Sequence, residues 1–404
     1  MFLAALALAA SAPAGEVRNW EPALRAAERD LCGKQVALLG ENGFHGDGKT
    51  VAFKAELIRR LVTRCGYRAV FFEASHYDFL AVQRAARRRE PLTEAMVSSS
   101  IGGLWNQDEE LTPLVSFLTA EAKAGRVTLG GLDDQIGSWR AFYSLDTMRT
   151  ELAGFLPPER REPCKAALRQ RMAWSYSESS PHDWTSVRRI QACVAQIRQG
   201  LPGSSTDAAS RDEYLEMLAN IDRLMQREFA QPKALIAGRD QSMYFNFRWL
   251  AARLKPGTKI VVWAANSHIA KDPALDPDFV AGGNLGGPLH RDYGRRAFAL
   301  GFSAAGGSFR WSRRESKPIP PAAPKSLEAA VIGGTRGEAA YAGPGALVAL
   351  GARPGSLFDH RTSPTGRWAD VFDGIVVFRA ERPPARTDEA LDTAGSVSPG
   401  DSGL

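Results

Sequence analysis

Much that would classify this 404-residue chain quickly is missing from it. There is no G-x-S-x-G segment for a serine nucleophile and no H-E-x-x-H helix for a zinc peptidase. The four cysteines make no C-x-x-C pair, which removes the simplest zinc and redox motifs, and none carries the signature of a cysteine nucleophile. No internal repeat is found, so stacked-repeat architectures are excluded. Past the N-terminus no apolar run is long enough to span a bilayer, so stable membrane insertion is not expected. Charge of one sign is scarce too. The formal charge of +6 is spread over 51 basic and 45 acidic residues. The one dense basic run, Arg87 to Arg89, reads as a solvated helix face beside Arg84, not as a nucleic-acid contact.

What is present is ordinary for a folded enzyme: 44% hydrophobic and 24% charged residues, in a chain long enough for a large core. Residues 1–14 read as a signal peptide, with an apolar stretch from Phe2 to Ala10 followed by Ala12-Pro13-Ala14, although no Lys or Arg precedes the stretch. Export to a periplasmic or secreted location is the expectation. The cysteines fall as two local pairs, Cys32 with Cys65 and Cys164 with Cys193, which fits an oxidising compartment. Cys32 and Cys65 each stand just before an expected strand, so they can bridge if those strands are parallel neighbours. Buried free thiols are the alternative for either pair.

Short apolar runs predict strands at 35–39, 68–72, 126–129, 259–263, 297–301 and 374–378. Helical periodicity fills the early gaps at 51–64 and 110–124. Strands alternating with helices predict an α/β fold, a mainly parallel sheet flanked by helices. Residues 138–229 read as a helical insertion able to form a lid or cleft wall over that sheet. The catalytic domain is expected over 15–380. Residues 381–404, rich in Pro, Ser, Gly, Asp and Thr, are expected to stay unstructured.

In an open parallel sheet, ligands bind beyond the carboxyl ends of the strands. The first strand runs into Gly40-Glu41-Asn42-Gly43-Phe44-His45-Gly46-Asp47-Gly48, the second into Glu73-Ala74-Ser75-His76, and the fourth into Ala264-Ala265-Asn266-Ser267-His268. Any one of these histidines alone is more readily a packed or solvated residue. Their coincidence at equivalent strand ends points to chemistry. Glu73 leaves the apolar Val70-Phe71-Phe72, where a shifted pKa and a specific partner are expected, a structural ion pair being the plainer reading. Arg239, Met243, Asn246 and Leu250 share one helical face, from which Arg239 and Asn246 can point into the cleft. A competing motif is Gly43-Phe44-His45-Gly46-Asp47-Gly48-Lys49-Thr50, which fits the phosphate-binding G-x-x-x-x-G-K-[ST] pattern between a strand and a helix. Glu41 and Asp47 in and beside that loop would repel phosphate.

These residues together resemble the erythromycin esterase family. The likeness lies in Gly40-Glu41 with His45-Gly46, Lys54, Phe71-Phe72-Glu73, Gly131-Leu132-Asp133, Arg239 to Met243 with Asn246, and Trp263 to His268. Tyr293-Gly294, Ala299 to Phe302 and Phe372-Asp373-Gly374 extend it. One departure is an extra residue between Glu41 and His45, which the neighbouring glycines are expected to absorb with positive φ.

The resemblance implies hydrolysis of a macrocyclic lactone ester without a bound metal. His45 would be the general base, Glu41 and Glu73 would orient it or the water, and His268 would assist. Arg239, Asn266 and Asn246 would be the substrate- or oxyanion-binding donors. The expected partner is a small-molecule ester or lactone, with no nucleic acid. Two alternatives stay open. The same two histidines and two carboxylates can hold zinc or manganese for metal-dependent hydrolysis, or the protein can be a non-enzymatic metal- or cofactor-binding module.

Overall fold

In the computed structural model of this protein, the described residues are 19–136, 141–145, 147–172, 184–227, 232–279, 283–310 and 315–386. The expected signal peptide lies outside them. The strands are β1 (Val36–Leu39), β2 (Tyr67–Ser75), β3 (Thr128–Asp133), β4 (Lys259–Trp263), β5 (Ala297–Ala304), β6 (Gly307–Arg310), β7 (Ser316–Ile319), β8 (Ala339–Ala342), β9 (Ala352–Pro354), β10 (Thr365–Arg367) and β11 (Gly374–Phe378). Seven of them form one sheet in the order β3-β2-β4-β1-β5-β11-β8. Every pairing in it is parallel except β8 against β11. The fold is therefore the mainly parallel α/β sheet that the alternating pattern predicts.

Both faces of that sheet are buried, and the strands alternate between two cores. Val36, Leu38, Ala69, Phe71, Ile260 and Val262 pack on one side. Ala37, Leu39, Val70, Phe72, Val261 and Trp263 pack on the other. Continuous apolar runs are what such two-sided burial demands. The covering helices include α1 (Glu21–Cys32), α2 (Gly48–Cys65), α3 (His76–Arg88), α4 (Glu94–Ile101) and α5 (Thr112–Lys123). Between 141 and 227 the described residues form α6 (Thr147–Ala153), α7 (Pro158–Met172), α8 (Trp184–Gly200) and α9 (Ala208–Gln226), with no strand among them. They enclose a third core of their own, which reaches α3 through Tyr77 and Leu80. Next come α10 (Pro232–Ala252), α11 (Asn266–Ile269) and α12 (Gly286–Tyr293). Among the described residues no helix is long and apolar enough to cross a membrane.

Both cysteine pairs are disulfides, with Cα–Cα distances of 4.9 Å for Cys32–Cys65 and 5.4 Å for Cys164–Cys193. The reason expected for the first is corrected, because β1 and β2 are not neighbours: β4 lies between them. The bridge instead joins the C-terminal ends of the packed helices α1 and α2. Lys259, the first residue of the intervening strand, donates to the carbonyls of Cys32 and Cys65 at 2.6 and 2.9 Å.

The expected unstructured tail is also corrected at its start. Residues 381–386 pack against the body, with Glu381 buried and the carbonyl of Arg382 accepting the amide of Gly48 at 2.8 Å. Composition misled here because this segment is held by polar contacts and needs little apolar surface of its own. Residues 387–404 lie outside the described part of the chain.

Candidate active site

The strand order decides where chemistry can gather. The adjacent strands β2, β4 and β1 carry Glu73 near the end of β2, lead into the turn to Asn266 and His268, and lead into the loop holding Glu41 and His45, while Asp133 ends β3 on the far side of β2. A register shift in β2 between Phe72 and Ser75 interrupts regular pairing where Glu73 stands, the kind of irregularity that re-aims a side chain.

The first cluster is built on Glu41, which is almost wholly buried. Its Oε1 accepts from His45 Nδ1 at 2.8 Å and from Trp105 Nε1 at 2.8 Å, with Trp263 Nε1 at 3.4 Å. Its Oε2 accepts from Lys54 Nζ at 3.2 Å. That ammonium is fully buried and lies 3.9 Å from the centre of the Trp263 ring. Burial alone would raise the Glu41 carboxyl, but the Lys54 charge and the hydrogen bond from His45 outweigh it and hold it below its ordinary value. Burial in turn pulls Lys54 down to about 8, against the attraction of Glu41 and Glu73. Because an ionised carboxylate only accepts, neutral His45 must carry its proton on Nδ1. Nε2, which makes no hydrogen bond to any described residue, is left with a lone pair.

The extra residue in this loop is accommodated otherwise than expected. His45 itself takes the left-handed conformation, φ 54°, while none of Gly43, Gly46 and Gly48 has positive φ. Those glycines serve close approach. A Cβ on Gly46 would lie 1.6 Å from the Arg310 carbonyl oxygen, and one on Gly48 would lie 2.9 Å from Pro383 and Pro384 backbone atoms.

The second cluster centres on Glu73 and His268. Glu73 Oε1 accepts from Arg239 Nη2 at 2.9 Å and from His268 Nε2 at 3.0 Å, and Oε2 accepts the backbone amide of Ala265 at 2.9 Å. Arg239 Nη1 lies 3.2 Å from the same His268 nitrogen. His268 Nδ1 donates to Asp240 at 2.9 Å, and Asp240 also takes the amide of Leu285. Arg239 is fixed further by Asp133, at 2.6 Å from Nη2 and 3.0 Å from Nε. Burial disfavours the imidazolium, but Asp240 and Glu73 outweigh it and raise His268 to about 10. Burial likewise opposes ionising Glu73, yet His268 and Arg239 hold it well below the carboxylate range. A protonated His45 would lower Glu73 as well, so the two clusters are electrostatically coupled. A cavity of about 250 Å³ is lined by Glu73, Ser75, Trp105, Asp133, Gln135 and Arg239 among others, and so touches Trp105 of the first cluster and Glu73 and Arg239 of the second. A larger hollow over Arg89, Glu90 and Lys123 touches none of these groups.

Two residues expected as donors at the site have other work. The Asn266 side-chain amide gives both hydrogens to backbone carbonyls, of Phe302 at 2.8 Å and Leu357 at 2.6 Å. Asn246 donates to the Leu132 carbonyl and exchanges hydrogen bonds with Asn220, tying α10 to β3 and α9. His76, beside Glu73 in sequence, is buried against the Gly131 carbonyl and is pushed down to about 4 by its burial. Sequence reasoning missed the roles of Lys54, Asp240 and Trp105. For Asp240 the signal was a charge next to Arg239, and for Lys54 it was a lone lysine among the apolar Val51, Ala52, Phe53 and Ala55 of α2. For Trp105, it was an aromatic residue in a Gly-Gly-Leu loop.

The phosphate-loop reading is answered by the same geometry. The α2 amides of Lys49 and Thr50 and the Thr50 hydroxyl all donate to the Glu381 carboxylate, at 2.9, 2.9 and 2.7 Å. The position a phosphate would take is filled by the chain itself. As for a metal, the one group of three His, Cys, Asp or Glu ligand atoms found close together among the described residues is Glu28, Cys32 and Cys65, and both its sulfurs are in a disulfide. The site carboxylates face Lys54, Arg239 and His268 cations instead.

The family model for erythromycin esterase matches residues 62–378. This chain belongs to the erythromycin esterase family, and with it to a family of hydrolases. The erythromycin esterase match begins after the loop of Glu41 and His45, so those two are tied to the site by position and contacts. Among curated proteins, the chain is 24% identical over 335 residues to "Putative hydrolase YbfO" of Bacillus subtilis (strain 168), covering 76% of this chain and 73% of that one. Among solved structures, the fold is similar to a Bacillus cereus protein (TM-score 0.70, 17% identity, 90% of this chain and 93% of that one). It is also similar to a mutant of the erythromycin esterase EreC in its open conformation (TM-score 0.60, 15% identity, 88% and 93%).

Proposed function

We propose that this protein hydrolyses a carboxylic ester or lactone by water that His45 activates. The observation that carries the reading is the 2.8 Å bond from His45 Nδ1 to the buried Glu41, which leaves Nε2 as the basic nitrogen. In the step proposed, water attacks the carbonyl carbon as its proton passes to Nε2. Glu41 stabilises the imidazolium that results. Arg239 and protonated His268 supply positive charge for the oxyanion, and Glu73 and Asp133 hold the two in place. When the tetrahedral intermediate collapses, the C–O bond breaks and the leaving alkoxide takes the proton back from His45. Family membership supports ester chemistry, and a macrocyclic lactone is the substrate class it suggests first.

The test is ester and lactone hydrolysis by metal-stripped wild type beside His45→Ala, on a panel that includes macrolides. Activity without metal that collapses in the variant, with unchanged circular dichroism, is the expected result. Activity that returns only with zinc or manganese, or that survives in His45→Ala, contradicts it. We infer in addition that the protein is exported, which the two disulfides support. Mass measurement of the mature protein with and without reductant should give loss of the N-terminal segment and no free thiol, and an intact Met1 would overturn it.

A further inference from the structure

His45 holds the left-handed backbone conformation, which is uncommon for a residue with a Cβ. The five residues that follow it are each gripped by chain far away in sequence. The Gly46 carbonyl accepts the amide of Arg310 at 3.1 Å, and Asp47 accepts from His360 Nε2 at 3.0 Å. The amide of Gly48 goes to the Arg382 carbonyl, and those of Lys49 and Thr50 go to Glu381. The lack of room for a Cβ at Gly46 and Gly48 shows how closely the backbones meet.

The segment that supplies most of this grip is itself anchored on the other wall of the site. The Ala385 carbonyl accepts the Glu109 amide at 3.0 Å, and the Ala385 amide donates to Glu110 at 3.1 Å. Arg382 pairs with Glu110, and Arg386 donates to Gln107 at 3.0 Å. Residues 105–110 begin with Trp105, whose indole nitrogen donates to Glu41 and whose ring stands edge-on to His45 at 5.1 Å. Residues 381–386 thus join the two strands of chain that flank the Glu41–His45 pair, and they lie past residue 378, where the family match ends.

We propose that residues 381–386 are a strap that positions His45 for catalysis, with Glu381 as its principal anchor. This rests on the reading of His45 as the base. The strap touches neither substrate nor water. It sets the orientation of the His45 ring by fixing the backbone on both sides of the Glu41 hydrogen bond. Burial, with Asp47 close by, raises Glu381 to about 7, an unfavourable placement that a surface tail would have no cause to keep.

The test compares full-length protein with chains ending at Arg386 and at Ala380, and with Glu381→Ala. It reads kcat, KM, thermal midpoint and hydrogen exchange of the 42–50 amides. The chain ending at Arg386 should match the full-length protein within about twofold. The chain ending at Ala380 and Glu381→Ala should lose about 10²-fold in kcat, the scale of an ångström of misplacement, with KM little changed. Exchange should rise at 42–50 and stay unchanged in β2 and β4. Unchanged kcat and unchanged exchange in Glu381→Ala overturn the strap, even if the shorter chain fails to fold. So does a loss confined to KM. If the wild type hydrolyses no ester, the exchange result still decides the strap, and the failure then belongs to the reading of His45.

Discussion

The two histidines at the ends of β1 and β4 have the same side chain at equivalent places in the sheet, yet their surroundings differ. His45 meets one carboxylate, at Nδ1, and its other nitrogen has no hydrogen bond to a described residue. His268 meets a carboxylate at each nitrogen, Asp240 and Glu73, and is raised to about 10. One ring is held through a single nitrogen. The other is clamped as a cation. The number of carboxylates on an imidazole, more than its place in the fold, decides whether it removes a proton or stabilises negative charge.

The contrast is sharpened most by deleting the proposed base. His45→Ala is expected to lower kcat/KM by about 10²- to 10⁴-fold, the range for a positioned general base, in a steady-state ester assay. His268→Asn removes a cation instead, and a loss of about 10²-fold in kcat, with any basic limb of the profile near pH 10 gone, is the expected result. A stability measurement reports the same clamp. Because the folded His268 is raised, the stability it contributes is complete below about pH 6.5, the ordinary imidazole value, and is lost as pH rises through about 10. Thermal midpoints across that window should fall, and Asp240→Asn should flatten the slope.

A smaller effect on chemistry but a clear one on folding is expected at Glu41. Glu41→Gln keeps the shape but leaves the buried Lys54 ammonium without its counter-charge, at a cost of about 3–5 kcal/mol in urea unfolding. Unchanged stability would mean that Lys54 is neutral in the folded protein. Least of all should activity respond to Asn246→Ala. It strands Asn220 and the Leu132 carbonyl at a cost of about 1–3 kcal/mol, with kcat within about twofold for the folded fraction.

What could be read from the sequence follows from which forces leave a pattern in it. Six of the seven strands of the main sheet announce themselves because burial on both faces requires runs such as Val70-Phe71-Phe72. The seventh sheet strand, β8, is Ala-Ala-Tyr-Ala with two half-buried positions at the sheet edge, and leaves no such run. The placement of Glu41, His45, Glu73 and His268 at neighbouring strand ends was legible because strand ends are where a parallel sheet presents groups to a ligand. Which partner each side chain finds was not. Asn266 stands at the right strand end, but its amide is consumed by Phe302 and Leu357, residues 36 and 91 positions away. Residues 381–386 read as tail because composition records apolar burial and is blind to a carboxylate seated on a helix N-terminus. Asp240 was passed over because its value lies wholly in meeting His268.

The division of labour between the two histidines is tested most directly by the acid limb of the kcat/KM profile, measured for wild type, His45→Ala and His268→Asn on the same ester without added metal. If His45 is the base, the acid limb persists in His268→Asn and disappears from the residual activity of His45→Ala. An acid limb retained in His45→Ala and lost in His268→Asn would contradict the assignment and make the clamped histidine the base.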